Sequence, residues 1–226
     1  FKHAQMKKLS EIIKEHAHNC LNANTARYLN NDALENQISI QNFLFIIHYN
    51  KDSAKPHKPL DVNKPKEPLL PPYPEHRLCE HYKHHYIFIN KNMLCPGHVV
   101  ISADSKDCHQ VDMLNIDDFD ALSHVICGFD GIGIGYYNCG IDSGCSQYHK
   151  HLQYVPFEQT PILDSMINHE KLPFRFYIQK IESYEPHLIE QAYLSLFNQL
   201  EKGICYNFIC SKKHVVLIPR RTIKTP

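Results

Sequence analysis

Six of the eight glycines in this 226-residue chain fall between Gly128 and Gly144, and that stretch runs on into His149-Lys150-His151-Leu152-Gln153. Glycine at this density disfavours helix. Its alternation with Ile and Tyr predicts a strand over 128–137 whose neighbour approaches closely. The part from Asn138 to Gln147, rich in Gly and Ser, predicts a loop whose backbone N–H groups can face an anion. A further strand is expected over Lys150–Val155. Residues two apart on a strand share a face, roughly 6.6 Å apart. His149, His151 and Gln153 then form one row, and Lys150, Leu152 and Tyr154 face the other way.

The rest of the chain supplies more strands than helices. His85–Asn90 and His98–Ser102 read as strands, with a turn signal in Met93–Gly97. Phe43–His48 is a short apolar run, and Phe174–Ile181 alternates. Ile204–Cys210 and His214–Pro219 look like a terminal hairpin. Helices are predicted over Met6–Ala17, after a cap at Asp117 (Phe119, Leu122, Val125 and Ile126 inward), and from Pro186. The last carries Ile189, Ala192, Tyr193, Leu196, Phe197 and Leu200 on one face, and Gly203 is expected to end it. This order predicts an α+β fold, a mainly antiparallel sheet flanked by helices. Seven prolines between Pro56 and Pro74 exclude helix and central strand there. The end of that segment, Leu69–Pro74, is apolar enough to pack on the domain. The chain reads as one domain over 1–226, with the histidine row in an N-terminal part (1–158) and a C-terminal part (159–226) completing the sheet.

Composition narrows the function classes. Lys+Arg and Asp+Glu are equal at 24 each, so the net charge is zero and nucleic acid is a poor partner. No apolar run is long enough to span a membrane. The nine cysteines show no Cys-x-x-Cys spacing, and no signal peptide is visible, so they read as reduced thiols of a cytoplasmic protein. His76, His81, His84 and His85 gather near Cys79, but Cys79-Glu80-His81 is not a zinc spacing. A polar loop is expected there and no metal ligand is assigned. His98, at a strand start, is expected to be structural. The opening at Phe1 rather than Met and the end at Pro226 predict that terminal residues are missing.

A row of His, His and Gln beside an anion-cradling loop suits nucleophilic attack on phosphorus. Neutral imidazole is a good nucleophile near pH 7. Attack would give a covalent phosphoramidate and divide one hard step in two. His151 is the expected nucleophile. His149 would shape the row and bond to the backbone. Gln153 would donate its amide to a phosphate oxygen or the leaving group.

The string Tyr137-Asn138-x-Gly140-x-x-Ser143-Gly144-x-Ser146-Gln147-x-His149-Lys150-His151-Leu152-Gln153 resembles the transferase branch of the histidine-triad superfamily, in particular the diadenosine tetraphosphate phosphorylases or ATP adenylyltransferases. Phe88-Ile89-Asn90-Lys91, Cys95-Pro96-Gly97-His98, Leu70–Pro74, Tyr206–Ile209 and Ile218-Pro219-Arg220 are similar to other parts of that family. The resemblance covers the chain from about Phe43 onward. It implies a histidine-triad-like fold. It also implies cleavage of diadenosine tetraphosphate by phosphate to ATP and ADP, with AMP held on His151. Glutamine as third member, in place of histidine, implies transfer to phosphate or a nucleotide rather than to water. The resemblance further implies that Asn90, Lys91 and Lys55 (with Lys51 and Lys58 close in register) contact phosphate or nucleotide. Asn138, Ser143, Gly144, Cys145, Ser146 and Gln147 would form the phosphate loop, and Asn207 and Lys212 would lie near the end of the site. Cys145 stands where a small hydroxyl or Ala is expected. Mg²⁺ is expected to arrive with the polyphosphate. Two rival readings are a hexose-1-phosphate nucleotidylyltransferase and a nucleotide-binding sensor without turnover. The sequence leaves the oligomeric state open.

Overall fold

The computed structural model describes residues 8–29, 33–40, 43–50, 69–158, 161–168 and 172–221. The elements, in chain order, are α1 (Leu9–Asn22), β1 (Arg27–Tyr28), β2 (Ala33–Ile40), β3 (Phe43–Asn50), β4 (Leu78–Tyr82), β5 (His85–Ile89), β6 (Asn92–Met93), β7 (Val99–Ala103), α2 (Ile116–Gly128), β8 (Ile134–Cys139), β9 (His151–Val155), α3 (Pro161–Ile167), β10 (Tyr177–Lys180), α4 (Pro186–Phe197), β11 (Cys205–Cys210) and β12 (His214–Arg220). A 3-10 turn follows β8 at Ile141–Ser143.

Eight strands form one sheet in the order β10-β12-β11-β8-β9-β7-β5-β4. Its neighbouring strands are antiparallel throughout. The fold is thus α+β with a large antiparallel sheet, as the sequence predicts. β2 and β3 make a separate antiparallel pair, and β1 and β6 a short parallel one.

The period-two pattern decides what each face carries. Tyr137 and Cys139 of β8, Leu152 and Tyr154 of β9, and Tyr206 and Phe208 of β11 point into the main core. There they meet Ile13 and Ala17 of α1, Phe119, Leu122, Val125 and Ile126 of α2, and Ile189, Ala192, Tyr193 and Leu196 of α4. Each large side chain fully removed from water there contributes roughly 1.5–3 kcal/mol. The two buried phenols answer each other, Tyr193 to Tyr206 at 2.6 Å, so neither hydroxyl is stranded.

Among the described residues the apolar clusters on the opposite face lie toward its two ends. On one side Leu69 and Tyr73 pack on Phe88 and Val100, with the Tyr73 and Phe88 rings stacked at 4.6 Å. The apolar end of the proline segment therefore packs on the sheet as expected. On the other side Leu163 and Met166 of α3 lie on Val216, with Ile134, Ile209 and Phe176 around them. Between these covers runs a polar strip drawn from β8, β9 and β11.

Several local expectations need correction. α1 begins at Leu9 and runs on to Asn22, past the predicted end at Ala17; Met6 lies outside the described residues. Asn115, not Asp117, caps α2, its side chain accepting from the Asp117 and Asp118 N–H groups at 3.0 and 3.2 Å. Gly128 to Gly133 is helix end and turn, and the strand starts only at Ile134. The close approach does occur, at Gly135: a Cβ there would lie 2.3 Å from Leu122 Cδ1 of α2. β9 starts at His151 rather than Lys150, and β10 covers only Tyr177–Lys180, although Phe174 and Phe176 still join Ile178 on one apolar face. α4 ends at Phe197, ahead of Gly203. The histidine-rich segment is a hairpin of β4 and β5, not a polar loop, and His85 is buried in it. Lys51, Lys55 and Lys58 lie outside the described residues. None of the nine cysteines is in a disulfide. No helix among the described residues is long and apolar enough to cross a membrane.

Candidate active site

β8 and β9 pair through Ile134↔Val155, Gly135↔Tyr154 and Tyr136↔Gln153, then part. The next rung on that face would join Asn138 to His151. A side chain takes its place. The buried Gln110 carboxamide accepts from the His151 N–H (2.8 Å) and donates to the carbonyls of His151 (3.1 Å) and Asn138 (3.0 Å). Around it the 108–112 segment fills the fork. His109 bridges to His149, the Lys150 N–H donates to Cys108 O at 3.0 Å, and the Gly140 N–H donates to Gln110 O at 3.2 Å. His151 thus stands at the split of two strands, still laddered to Ser102 of β7 on its other side.

The imidazole of His151 is oriented by its own chain. Its Nδ1 lies 2.9 Å from the His149 carbonyl oxygen. A carbonyl only accepts, so Nδ1 carries the hydrogen and Nε2 keeps its lone pair. His151 is 7% exposed, and burial lowers its pKa to about 4, so the ring stays neutral near pH 7. His149 is buried too, and its Nε2–H donates to Ala103 O at 2.7 Å. That is the backbone bond the sequence reading assigns to it, made just ahead of β9 rather than within it.

Gln153, on the face shared with His151, is held by its carbonyl. Oε1 accepts from Asn90 Nδ2, His98 Nε2 and the Tyr136 hydroxyl, each at 2.9 Å. Asn90 is occupied at both ends, since its Oδ1 accepts the Asn92 N–H at 2.9 Å. This differs from the expectation that Asn90 reaches phosphate directly. Among the described residues the Gln153 amide nitrogen donates to nothing.

The loop expected to cradle phosphate follows β8. Asn207, directly opposite Asn138 in the β11–β8 register, donates to Asn138 Oδ1 (2.7 Å) and Ser143 O (2.9 Å), tying β11 to β8 and the 3-10 turn. Ser143 is buried, and its hydroxyl donates back to Gly140 O at 2.6 Å. Its role is therefore to hold the turn rather than to reach outward, which corrects that expectation. Gly144 has φ +87° with open space around a notional Cβ, so a left-handed backbone rather than crowding calls for glycine there. Cys145 is half-buried, with its thiol pKa raised by burial. Ser146 is exposed and Gln147 half-buried. Lys91 is exposed beside Asn90. Lys212 does not join the group: its stem packs where a Cβ on Gly131 would be, at the far end of the strands.

Behind the row, Lys150 turns to the helix face. Its Nζ meets Asp118 Oδ2 at 2.6 Å and Met113 O at 2.8 Å. His85 Nε2–H donates to the other Asp118 oxygen at 3.1 Å, and the Asn115 N–H reaches Oδ2 at 2.8 Å. Burial alone would raise the Asp118 carboxyl. The His85 bond and the Lys150 charge outweigh it, and its pKa lies below the usual carboxylate value.

Gln110, Tyr136 and Asp118 escape the sequence reading, and His98 turns out to face the site. For His98 the Pro-Gly-His strand start was a usable signal. Gln110 has none, because its role depends on two strands that part only in three dimensions. Among the described residues no three His, Cys, Asp or Glu side chains come together as a metal site.

Comparison with known proteins gives consistent results. The family described as Ap4A phosphorylase N-terminal domain matches residues 2–175, and that described as ATP adenylyltransferase C-terminal domain matches residues 170–225. Diadenosine tetraphosphate phosphorylase 2 of Saccharomyces cerevisiae is 23% identical over 182 residues, which cover 62% of this chain and 55% of that protein. The match thus spans little more than half of the curated relative. The crystal structure of yeast Ap4A phosphorylase Apa2 superposes with a TM-score of 0.76 at 18% identity, covering 98% of this chain and 84% of that one. A structure of Apa2 in complex with Ap4A gives 0.74 at 19% identity, covering 98% and 83%. Structural likeness at these identities establishes the shared fold, and the family matches run nearly from end to end: the chain belongs to the Ap4A phosphorylase and ATP adenylyltransferase family.

Proposed function

We propose that this chain cleaves diadenosine tetraphosphate with inorganic phosphate, giving ATP and ADP through an adenylyl group held on His151. The observation that carries this reading is the orientation of His151, with Nδ1–H tied to the His149 carbonyl and Nε2 unprotonated in a buried ring. Nε2 attacks an α-phosphorus, the P–N bond forms, and the P–O bond to the remaining triphosphate breaks, releasing ATP. A phosphate oxygen then attacks the same phosphorus, the P–N bond breaks, and ADP leaves with His151 neutral again. The His149 carbonyl supports the positive charge that the ring gains between the steps. The Gln153 amide donates to the transferred phosphoryl group, and the loop from Gly144 to Gln147, with Lys91, lines the polyphosphate. Mg²⁺ travels with the substrate as part of it. The protein works as a single domain in the cytoplasm, its partners being the nucleotide and phosphate.

The test is incubation with labelled diadenosine tetraphosphate, with and without phosphate. Acid-labile, base-stable label on the protein, released as ADP only when phosphate is added and absent in His151→Ala, is the expected result. Binding without label or products would overturn the reading in favour of a sensor.

A further inference from the structure

We propose that Asn90, His98 and Tyr136 form one positioning unit that locks Gln153 with its carbonyl inward, so that its NH₂ is the end offered to the transferred phosphoryl group. The inference rests on the reading of His151 as nucleophile. Two of the donors are fixed by bonds of their own, and the third by strand register. The Asn92 N–H on Asn90 Oδ1 (2.9 Å) leaves the Asn90 NH₂ as the group facing Gln153. The Leu94 N–H on His98 Nδ1 (3.1 Å) places the ring hydrogen on Nε2, toward Gln153 Oε1. Tyr136 stands directly across the β8–β9 ladder from Gln153 and donates its hydroxyl. Turning the Gln153 amide over would set its NH₂ against three donors.

The lock crosses the sheet. Asn90 follows β5, His98 precedes β7, Gln153 lies on β9 and Tyr136 on β8, four neighbouring strands of the sheet. Asn90 N–H also bonds to His98 O at 3.0 Å, so the first two members move together. Burial keeps His98 neutral, its pKa lowered to about 4, so its single ring hydrogen stays on Nε2 as pH falls toward that value. A carbonyl loaded with three donors also polarises its amide, which makes the free N–H a better donor to an anion. Asn90, His98 and Tyr136 thereby act through Gln153 rather than on substrate.

The experiment measures single-turnover adenylyl transfer from labelled diadenosine tetraphosphate, with phosphate, for the whole chain. Asn90→Asp puts an acceptor where the NH₂ stood, so Gln153 turns and shows its carbonyl to the phosphoryl group. A fall of about 10²-fold in the saturating single-turnover rate constant with little change in the half-saturating concentration is expected, matching Gln153→Ala. Tyr136→Phe should cost about tenfold, the share of one hydrogen bond. Placed on Gln153→Ala, either change should add less than about twofold, because its route to the substrate is gone. A further large loss in those doubles, or full activity of Asn90→Asp, overturns the lock. If Asn90→Asp does not fold, the Tyr136→Phe pair decides alone. If wild type transfers nothing while bound to nucleotide, the functional reading and the lock fall together; if it transfers and the doubles are additive, only the lock falls.

Discussion

Replacing Lys150 by methionine probes the charge balance directly behind His151. Methionine keeps most of the apolar stem and removes the cation from a cluster whose side chains are 3–4% exposed. Asp118 would retain the His85 and Asn115 donors but lose the 2.6 Å bond from Lys150, and Met113 O would lose its donor at 2.8 Å. In the wild type the depressed Asp118 pKa supplies stability that is present above its unfolded value and lost as pH falls through the folded one. Without Lys150 the burial penalty dominates and the carboxyl pKa rises above its unfolded value. The variant's remaining stability is then greatest in acid and is lost as pH rises through that shifted value. The expected cost is about 3–5 kcal/mol at pH 7, shrinking toward about pH 4 as Asp118 protonates. Urea unfolding at both pH values reads the difference. Lys150→Met with Asp118→Asn removes both charges while keeping a carbonyl acceptor among the His85 and Asn115 donors, and should recover part of the loss. A cost below about 1 kcal/mol at pH 7, a cost that grows in acid, or a double variant weaker than the single would refute the reasoning.

Gly135→Ala should destabilise by about 1–3 kcal/mol in urea unfolding, since a Cβ would sit 2.3 Å from Leu122 Cδ1 in a filled core; Leu122→Ala in the same chain should cost less than the two changes summed. Gln153→Glu keeps an acceptor for the three donors, so its melting temperature should hold or rise. It places a second oxygen where the NH₂ was, so transfer should fall by about 10²-fold or more, and an active variant would contradict the donor role. Because burial lowers the His151 pKa to about 4, the acid limb of kcat/KM should fall below the ordinary histidine range, as Nε2 is protonated only near that value; a limb at about 6.5 would count against a buried nucleophile.

What the sequence makes legible is what repeats along the chain. The alternation through Leu152 and Tyr154 against His151 and Gln153 sorts β9 correctly, because a two-residue period needs only local information. The same holds for the core face of α4, whose Ile189, Ala192, Tyr193 and Leu196 are all buried. Ends are harder. Gly203 looks like a helix stop, but α4 gives way at Asn198 and the glycine serves a later turn with φ +78°. Asp117 looks like a cap, yet Asn115 has the extended backbone that a cap needs, and Asp118 answers it from within the helix. The site residues that escape notice share a cause. Gln110, Tyr136 and Asp118 act on partners well outside their own segments, Gln110 on His151 across 41 positions, Asp118 on Lys150 across 32 and Tyr136 on Gln153 across 17, where no local pattern records them.

Gln110 fills a rung of the ladder with a side chain, and this ties the backbone of His151 to the behaviour of a connecting segment. A strand-made rung opens only when strands separate; a carboxamide can leave when residues 108–112 lift by themselves. The His151 amide hydrogen should therefore exchange with solvent on the opening of that segment, while the amides of Gln153 and Tyr154, seated deeper in the ladders of β7 and β8, exchange only with larger openings of the sheet. The end of β9 that holds His151 is thereby expected to open first while the rest of the sheet stays shut.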